Sequence, residues 1–193
     1  MNNKKILVEI SARHAHITEE HLEILFGRNA SLTPKKPLSQ PGQYASEERI
    51  DVVGPRGTLK GVTILGPTRP ATQVEITLTE ARQLGLMAPI RESGNIDLSS
   101  GCTLVGPIGS VEIKEGVIVA KRHIHLRPDE ATAFNVVDKQ KVAVSIQSDQ
   151  RSIVFDDVVV RVSDKFSSAM HIDTDEANAG GLAGEVYGEI ITT

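Results

Sequence analysis

Cysteine is nearly absent from this chain. Cys102 is its one thiol, so no internal disulfide framework can staple the fold, and a reducing compartment is expected. Tryptophan is missing and aromatics make up 3% of the residues. Any core must therefore be built from Val, Ile, Leu and Ala, with the β-branched residues favouring strands. There is no block of Lys or Arg, and the formal net charge is −4, which argues against an electrostatic nucleic-acid footprint. No apolar run approaches the length of a membrane span, and the one near the N-terminus is too short for a signal peptide. A cytoplasmic protein with neither nucleic-acid nor membrane partners is expected.

What is plentiful is histidine in a pattern. Five of the six histidines form one constellation: His14 with His16, His123 with His125, and His171. In an extended strand residues i and i+2 project to the same side, so each His-x-His is preset to grip one metal ion. The surroundings repeat as well. Val8–Ile17 reads VEISARHAHI and Val117–Leu126 reads VIVAKRHIHL, with the same order of apolar strand, small residue, Arg, His, any residue, His and aliphatic. A duplicated unit explains this. A weaker echo aligns VEITLTEA (Val74–Ala81) with MHIDTDEA (Met170–Ala177) and sets Glu75 opposite His171. Each repeat then supplies three ligand types: His14, His16 and Glu75 in one, His123, His125 and His171 in the other. Structural zinc sites are usually closed by four protein ligands, whereas catalytic ones keep three and an open position.

The local signals are those of a mainly β chain with short helices. Lys5–Ser11 reads as a strand, Thr18 as an N-cap and Gly27 as the stop of the helix between them. Residues 27–48, rich in Pro and Ser/Thr, read as a loop or inserted hairpin. From Ile50 to Ile76, β-rich runs between Gly and Pro turns suit a small barrel or sandwich. Thr77 with Glu80, and Asp173 with Glu176, form capping boxes before helices. Strands are expected at 103–105, 110–113, 116–120, 142–146, 152–155 and 158–162, with a helix opened by Pro128 and Asp129.

Several residues have competing readings. Arg13 and Arg122 precede the His pairs, where a structural ion pair competes with substrate contact. Arg91 is a second candidate for holding an anion. His21 is expected on an exposed helical face as a bystander, and Cys102 as a small buried residue. Asp173 and Asp175 could orient ligand imidazoles or cap the following helix.

The ordered motifs RHAH, GPTR followed by TQVEIT, IRESGNI, RHIHL and MHIDTDEANA, spread over nearly the whole chain, resemble the phosphate propanoyltransferase family, the PduL-type phosphotransacylases. The resemblance implies a zinc-dependent phosphate acyltransferase that moves a short acyl group, acetyl or propanoyl, reversibly between coenzyme A and inorganic phosphate, giving acyl phosphate. Its partners would be acyl-CoA, coenzyme A, inorganic phosphate and acyl phosphate. It also implies two pseudo-symmetric small β-barrels capped by short α-helices, the chain crossing between them: residues 3–12 with 121–190 in one, 13–120 in the other. Two zinc ions per chain are implied, one held by His14, His16 and Glu75 together with the coenzyme A sulfur, the other by His123, His125 and His171. Arg69, in the GPTR run, would hold phosphate. A homodimer is the expected assembly. Many family members serving microcompartments carry a targeting extension before the first motif, and its lack here adds to the cytoplasmic expectation. Two rival readings use the same ligands: a zinc-dependent acyl-CoA hydrolase, with no need of a phosphate clamp, and a non-catalytic module in which metal joins the lobes.

Overall fold

The computed structural model describes residues 5–191; residues 3 and 4 of the expected first segment lie outside the described residues. The chain divides into two compact units. Among the described residues, one takes 5–11, Ser39–Pro41 and 121–191; the other takes Ala12–Leu38 and Gly42–Ala120.

The second unit holds β2 (His14–His16), α1 (Glu19–Phe26), β3 (Pro34–Pro37), β4 (Tyr44–Val53), β5 (Thr58–Gly66), β6 (Gln73–Glu75), α2 (Leu78–Leu84), β7 (Ile90–Arg91), β8 (Ser100–Val105) and β9 (Ser110–Ala120). Its strands run β4-β5-β2-β6-β9, and β8 pairs with both β9 and β4, which closes a ring of six. β3 extends it beside β4 and β7 beside β9. The interior is aliphatic: Val52, Val62, Ile64, Val74, Leu104 and Val117 are fully buried in one cluster.

The first unit holds β1 (Lys5–Ser11), β10 (His123–Leu126), α3 (Pro128–Phe134), β11 (Lys141–Ile146), β12 (Ile153–Val162), β13 (Ala169–Asp173), α4 (Thr174–Gly180) and β14 (Val186–Ile191). These six strands close as β1-β13-β10-β12-β11-β14. Along β11, Val142, Val144 and Ile146 face inward while Lys141, Ala143 and Ser145 do not. That is the period-two pattern of a barrel wall with one dry face. Ile124, Leu126, Val160 and Met170 complete a second, separate core.

Strand by strand the two rings have the same construction. β2 lies parallel to β5 and antiparallel to β6, as β10 does to β12 and β13. β6 runs parallel to β9, as β13 does to β1. The duplicated unit is therefore a six-stranded barrel with two short helices. The strand preceding each His pair belongs to the other ring: β1 precedes β2 in the chain, and β9 precedes β10.

Several boundaries differ from the sequence expectation for local reasons. Residues 110–120 form one strand, because Gly116 adopts φ 133° and bends the chain without breaking it. A Cβ there would meet the Thr72 carbonyl oxygen at 2.7 Å. Asp157, at φ 54°, does the same in β12, a conformation short polar side chains tolerate. The 27–48 segment contains the β3–β4 hairpin. Within it Ser39–Pro41 groups with the first unit, where buried Gln40 donates to the Ser167 carbonyl at 2.9 Å.

Each helix of the second unit ends against a Gly-Pro turn. The Arg56 N–H donates to the Leu84 carbonyl at 3.0 Å and the Ile108 N–H to the Leu25 carbonyl at 3.1 Å. Both satisfy helix C-terminal carbonyls that lack an intrahelical partner. The approach requires glycine at 54 and 106, where an added Cβ would lie 2.4 Å from those same oxygens. Gly106→Ala is therefore expected to cost about 1–3 kcal/mol, the range for forcing a methyl group into a packed contact. A denaturant midpoint equal to that of the parent protein would contradict this close approach.

Candidate metal centres

β2 carries His14 and His16 on one side, and its antiparallel partner β6 sets Glu75 directly opposite His14. All three side chains are buried. One ligand atom from each lies within 4.8 Å of the others. His14 Nε2 is 3.4 Å from Glu75 Oε2, and His16 Nε2 is 3.9 Å from Glu75 Oε1. His14 Nδ1 donates to the Ala12 carbonyl at 2.9 Å, which leaves Nε2 as its open nitrogen. His16 Nδ1 is buried with no hydrogen-bond partner.

The charges of this trio are coupled. Burial opposes ionisation of Glu75, but the charge and hydrogen bond of His14, then His16, outweigh it and hold the carboxyl well below the usual range. Burial also opposes charge on His14, and Glu75 reverses the balance so that its pKa is raised. His16 is pushed down to about 3 by burial, by His14 and by the Arg69 guanidinium. A neutral imidazole is the form that binds a metal ion, and His16 turns its Nε2 toward Glu75.

Arg69 thus stands close enough for its charge to act on both histidines. Its backbone N–H donates to the Ile17 carbonyl at 2.9 Å, and its Nη1 lies 3.4 Å from Ser93 Oγ. Two polar residues that the sequence reading did not single out complete the surroundings. Gln73 Nε2 donates to Glu75 Oε1 at 2.6 Å and Ser93 Oγ donates to the same oxygen at 2.8 Å. Gln73 was within reach of pattern reasoning, since it sits two residues before Glu75 on the same strand. Ser93 was not, because it comes from the segment after β7.

The second cluster repeats the plan without a carboxylate ligand. β10 is antiparallel to β13 with His123 opposite His171. One nitrogen from each of His123, His125 and His171 lies within 4.8 Å of the others. His123 Nδ1 donates to the Lys121 carbonyl at 2.8 Å, matching the bond from His14 to Ala12. His125 Nδ1 is buried and unpartnered. Burial, then the charges of His123, His171 and Arg161, push His125 down to about 2. Phe166 packs on the His125 ring at 4.2 Å between centroids. Glu9 Oε2 lies 3.6 Å from His171 Nδ1 and accepts from Ser39 Oγ at 2.6 Å. Arg161, opposite His125 across β12, is a further cation beside this cluster.

Both trios suit a divalent ion: the first, buried throughout, offers two imidazoles and a carboxylate, and the second, with His125 buried and His123 and His171 half-buried, offers three imidazoles. The remaining sequence candidates fall elsewhere. Arg13 pairs with Glu80 at 2.8 Å and Arg122 with Glu176 at 3.4 Å, so both take the structural role. The Asp173 side chain accepts from the Glu176 N–H at 2.8 Å, capping α4. Arg91 lies on β7 beside β9, opposite Ala120. His21 is a correction: it is half-buried, and its Nδ1 bonds Thr72 Oγ1 at 2.7 Å, because the N-cap of α1 is tied to that threonine. Cys102 is buried, and burial pushes its thiol up to about 12, so it is inert at neutral pH.

Comparison with known proteins adds an independent finding. The family model described as phosphate propanoyltransferase matches residues 7–183. A phosphate propanoyltransferase of Thermotoga maritima is 48% identical over 177 residues, 92% of this chain and 84% of that protein. One of Clostridioides difficile is 49% identical over 186 residues, 96% of this chain and 88% of that protein. One of Listeria monocytogenes is 49% identical over 184 residues, with 95% and 86% covered.

Proposed function

The chain belongs to the phosphate propanoyltransferase family, and on that premise we propose that each of its two trios holds one zinc ion and that Arg69 grips phosphate. The reaction is reversible transfer of a short acyl group between coenzyme A and inorganic phosphate, giving acyl phosphate. The observation that carries the site assignment is the meeting of His14, His16 and Glu75 in one buried trio with Arg69 beside it.

Zinc is the reading the donors favour, since imidazole and carboxylate at three positions leave a fourth open and zinc also accepts soft sulfur. A bound zinc ion supplies a Lewis-acidic position suited to a thiolate or a polarised carbonyl. The protein's own part is positioning and charge. Arg69 presents a planar fork that stays charged and can grip two phosphate oxygens. A phosphate oxygen so held attacks the thioester carbon, the carbon–sulfur bond breaks, and the thiolate of coenzyme A leaves. The lone, buried Cys102 offers no thiol nucleophile for an acyl-enzyme. A cytoplasmic setting fits a chain with one thiol, and no described helix is long and apolar enough to cross a membrane.

Three outcomes check this. Purified protein is expected to release thiol from acetyl-CoA or propanoyl-CoA only when phosphate is added; release without phosphate would instead point to an acyl-CoA hydrolase. Arg69→Ala is expected to lower turnover at least a hundredfold, on the order of losing one fixed donor to developing charge, with metal content unchanged. His16→Ala and His125→Ala are each expected to lose one of two zinc ions per chain by elemental analysis, and retention of both ions in either variant would sink the ligand assignment.

A further inference from the structure

The hydrogen bonds around Glu75 determine more than its place in the trio. Oε1 accepts from Gln73 Nε2 at 2.6 Å and from Ser93 Oγ at 2.8 Å. A carboxylate oxygen has two lone pairs, so both are engaged there. Oε2 lies 3.4 Å from His14 Nε2, the nitrogen left open by the bond to Ala12.

The orientation of the Gln73 amide follows from its partners. The Gly94 N–H can only donate, and it lies 2.7 Å from Gln73 Oε1. Ionised Glu75 can only accept, so the amide NH₂ must face it. The second NH₂ proton goes to Ser93 Oγ at 3.0 Å. Ser93 is then saturated: its one proton goes to Glu75, and its lone pairs receive Gln73 Nε2 and Arg69 Nη1, the latter at 3.4 Å. Around the buried pair Gln73 and Glu75 no member of this group can turn without breaking a hydrogen bond of another, and such networks are rigid for that reason.

We infer that Gln73 and Ser93 are positioning residues that restrict Glu75 to binding metal through Oε2 alone and tie that ligand to the phosphate clamp Arg69. The inference rests on reading the His14, His16, Glu75 trio as a metal site. Partners outside the ligand set commonly contribute 10–100-fold in metal affinity. Ser93 carries a second consequence, because its hydroxyl is shared between a metal ligand and the anion-holding arginine. Anything that binds at one of these groups is therefore coupled to the other, and such coupling is reciprocal.

The test uses the full-length protein, zinc alone competed against a chromophoric chelator, and steady-state assays with phosphate varied. His16→Ala first identifies which of the two zinc affinities belongs to this trio. Ser93→Ala is then expected to weaken that affinity roughly 10–100-fold, leave the other unchanged, and raise KM for phosphate severalfold. Ser93→Thr, which keeps the hydroxyl, is expected to restore both. Should Ser93→Ala not fold, Gln73→Met removes two of the same donors at similar length and is read the same way. Equal weakening at both zinc sites, or parent affinity together with parent KM, would overturn the assignment. A parent protein that takes up no zinc at the first trio would end the metal reading itself, which keeps the two failures apart.

Discussion

Everything at the candidate centres depends on strand register. A His-x-His on a strand gives two imidazoles on one side, which is half a metal site. The other half arrives only because β6 runs antiparallel to β2 with Glu75 opposite His14, and β13 runs antiparallel to β10 with His171 opposite His123. A slip of one residue would turn the third ligand to the opposite face. The register is held by the apolar residues between the ligands: Ala15 and Val74 in one barrel, Ile124 and Met170 in the other, all fully buried. The same alternation that fills each core thus aims each ligand set.

Much of this was legible because it follows from period two and from repetition. The grouping of the six candidate ligands into two trios, the capping boxes of α2 and α4, and the stop at Gly85 follow from local patterns whose physical meaning survives folding. The pairing of Glu75 with His171 came from aligning two short stretches, and the strand registers place both residues at the same point of their barrels. What was not legible depends on loops. Ser93 reaches Glu75 from 18 residues away, Ser39 reaches Glu9 from 30, and Gln40 reaches Ser167 from 127. No periodicity encodes such contacts. His21 was misread because amphipathic spacing describes a helix alone, whereas Thr72 approaches it from another segment.

Duplication with one exchange makes the two sites electrostatically unlike. Where the first trio has Glu75, the second has His171, so one negative charge is missing from the ligand set. Glu9 offsets part of that from outside, held toward His171 by Ser39, while Arg161 adds positive charge beside His125. With a divalent ion in each, as proposed, the second ligand set taken alone carries the larger positive charge, while the neighbouring arginines, Arg69 at the first site and Arg161 at the second, each add one more. The first ligand set is closer to balance, and a single thiolate would neutralise the ion and its ligands while the Arg69 charge remains beside them. Two nearly identical scaffolds can in this way prefer different ligands without any difference in fold.

Apart from the short Ser39–Pro41 excursion, the chain passes from one unit to the other at Ser11–Ala12 and again at Ala120–Lys121, immediately before each His pair, and this placement has a chemical effect. The first carbonyl after each crossing, that of Ala12 or Lys121, accepts from Nδ1 of the histidine two residues later. A proton held on Nδ1 fixes the tautomer and leaves the Nε2 lone pair toward the cluster. The residue between, Arg13 or Arg122, points its side chain to the capping glutamate of the helix that follows the third ligand, Glu80 or Glu176. Both pairs are partly exposed and add little to stability. Their value is positional: each ties the peptide that sets the tautomer to the helix that follows the third ligand. Removing either arginine would therefore act on the centre through the orientation of a carbonyl rather than through loss of charge.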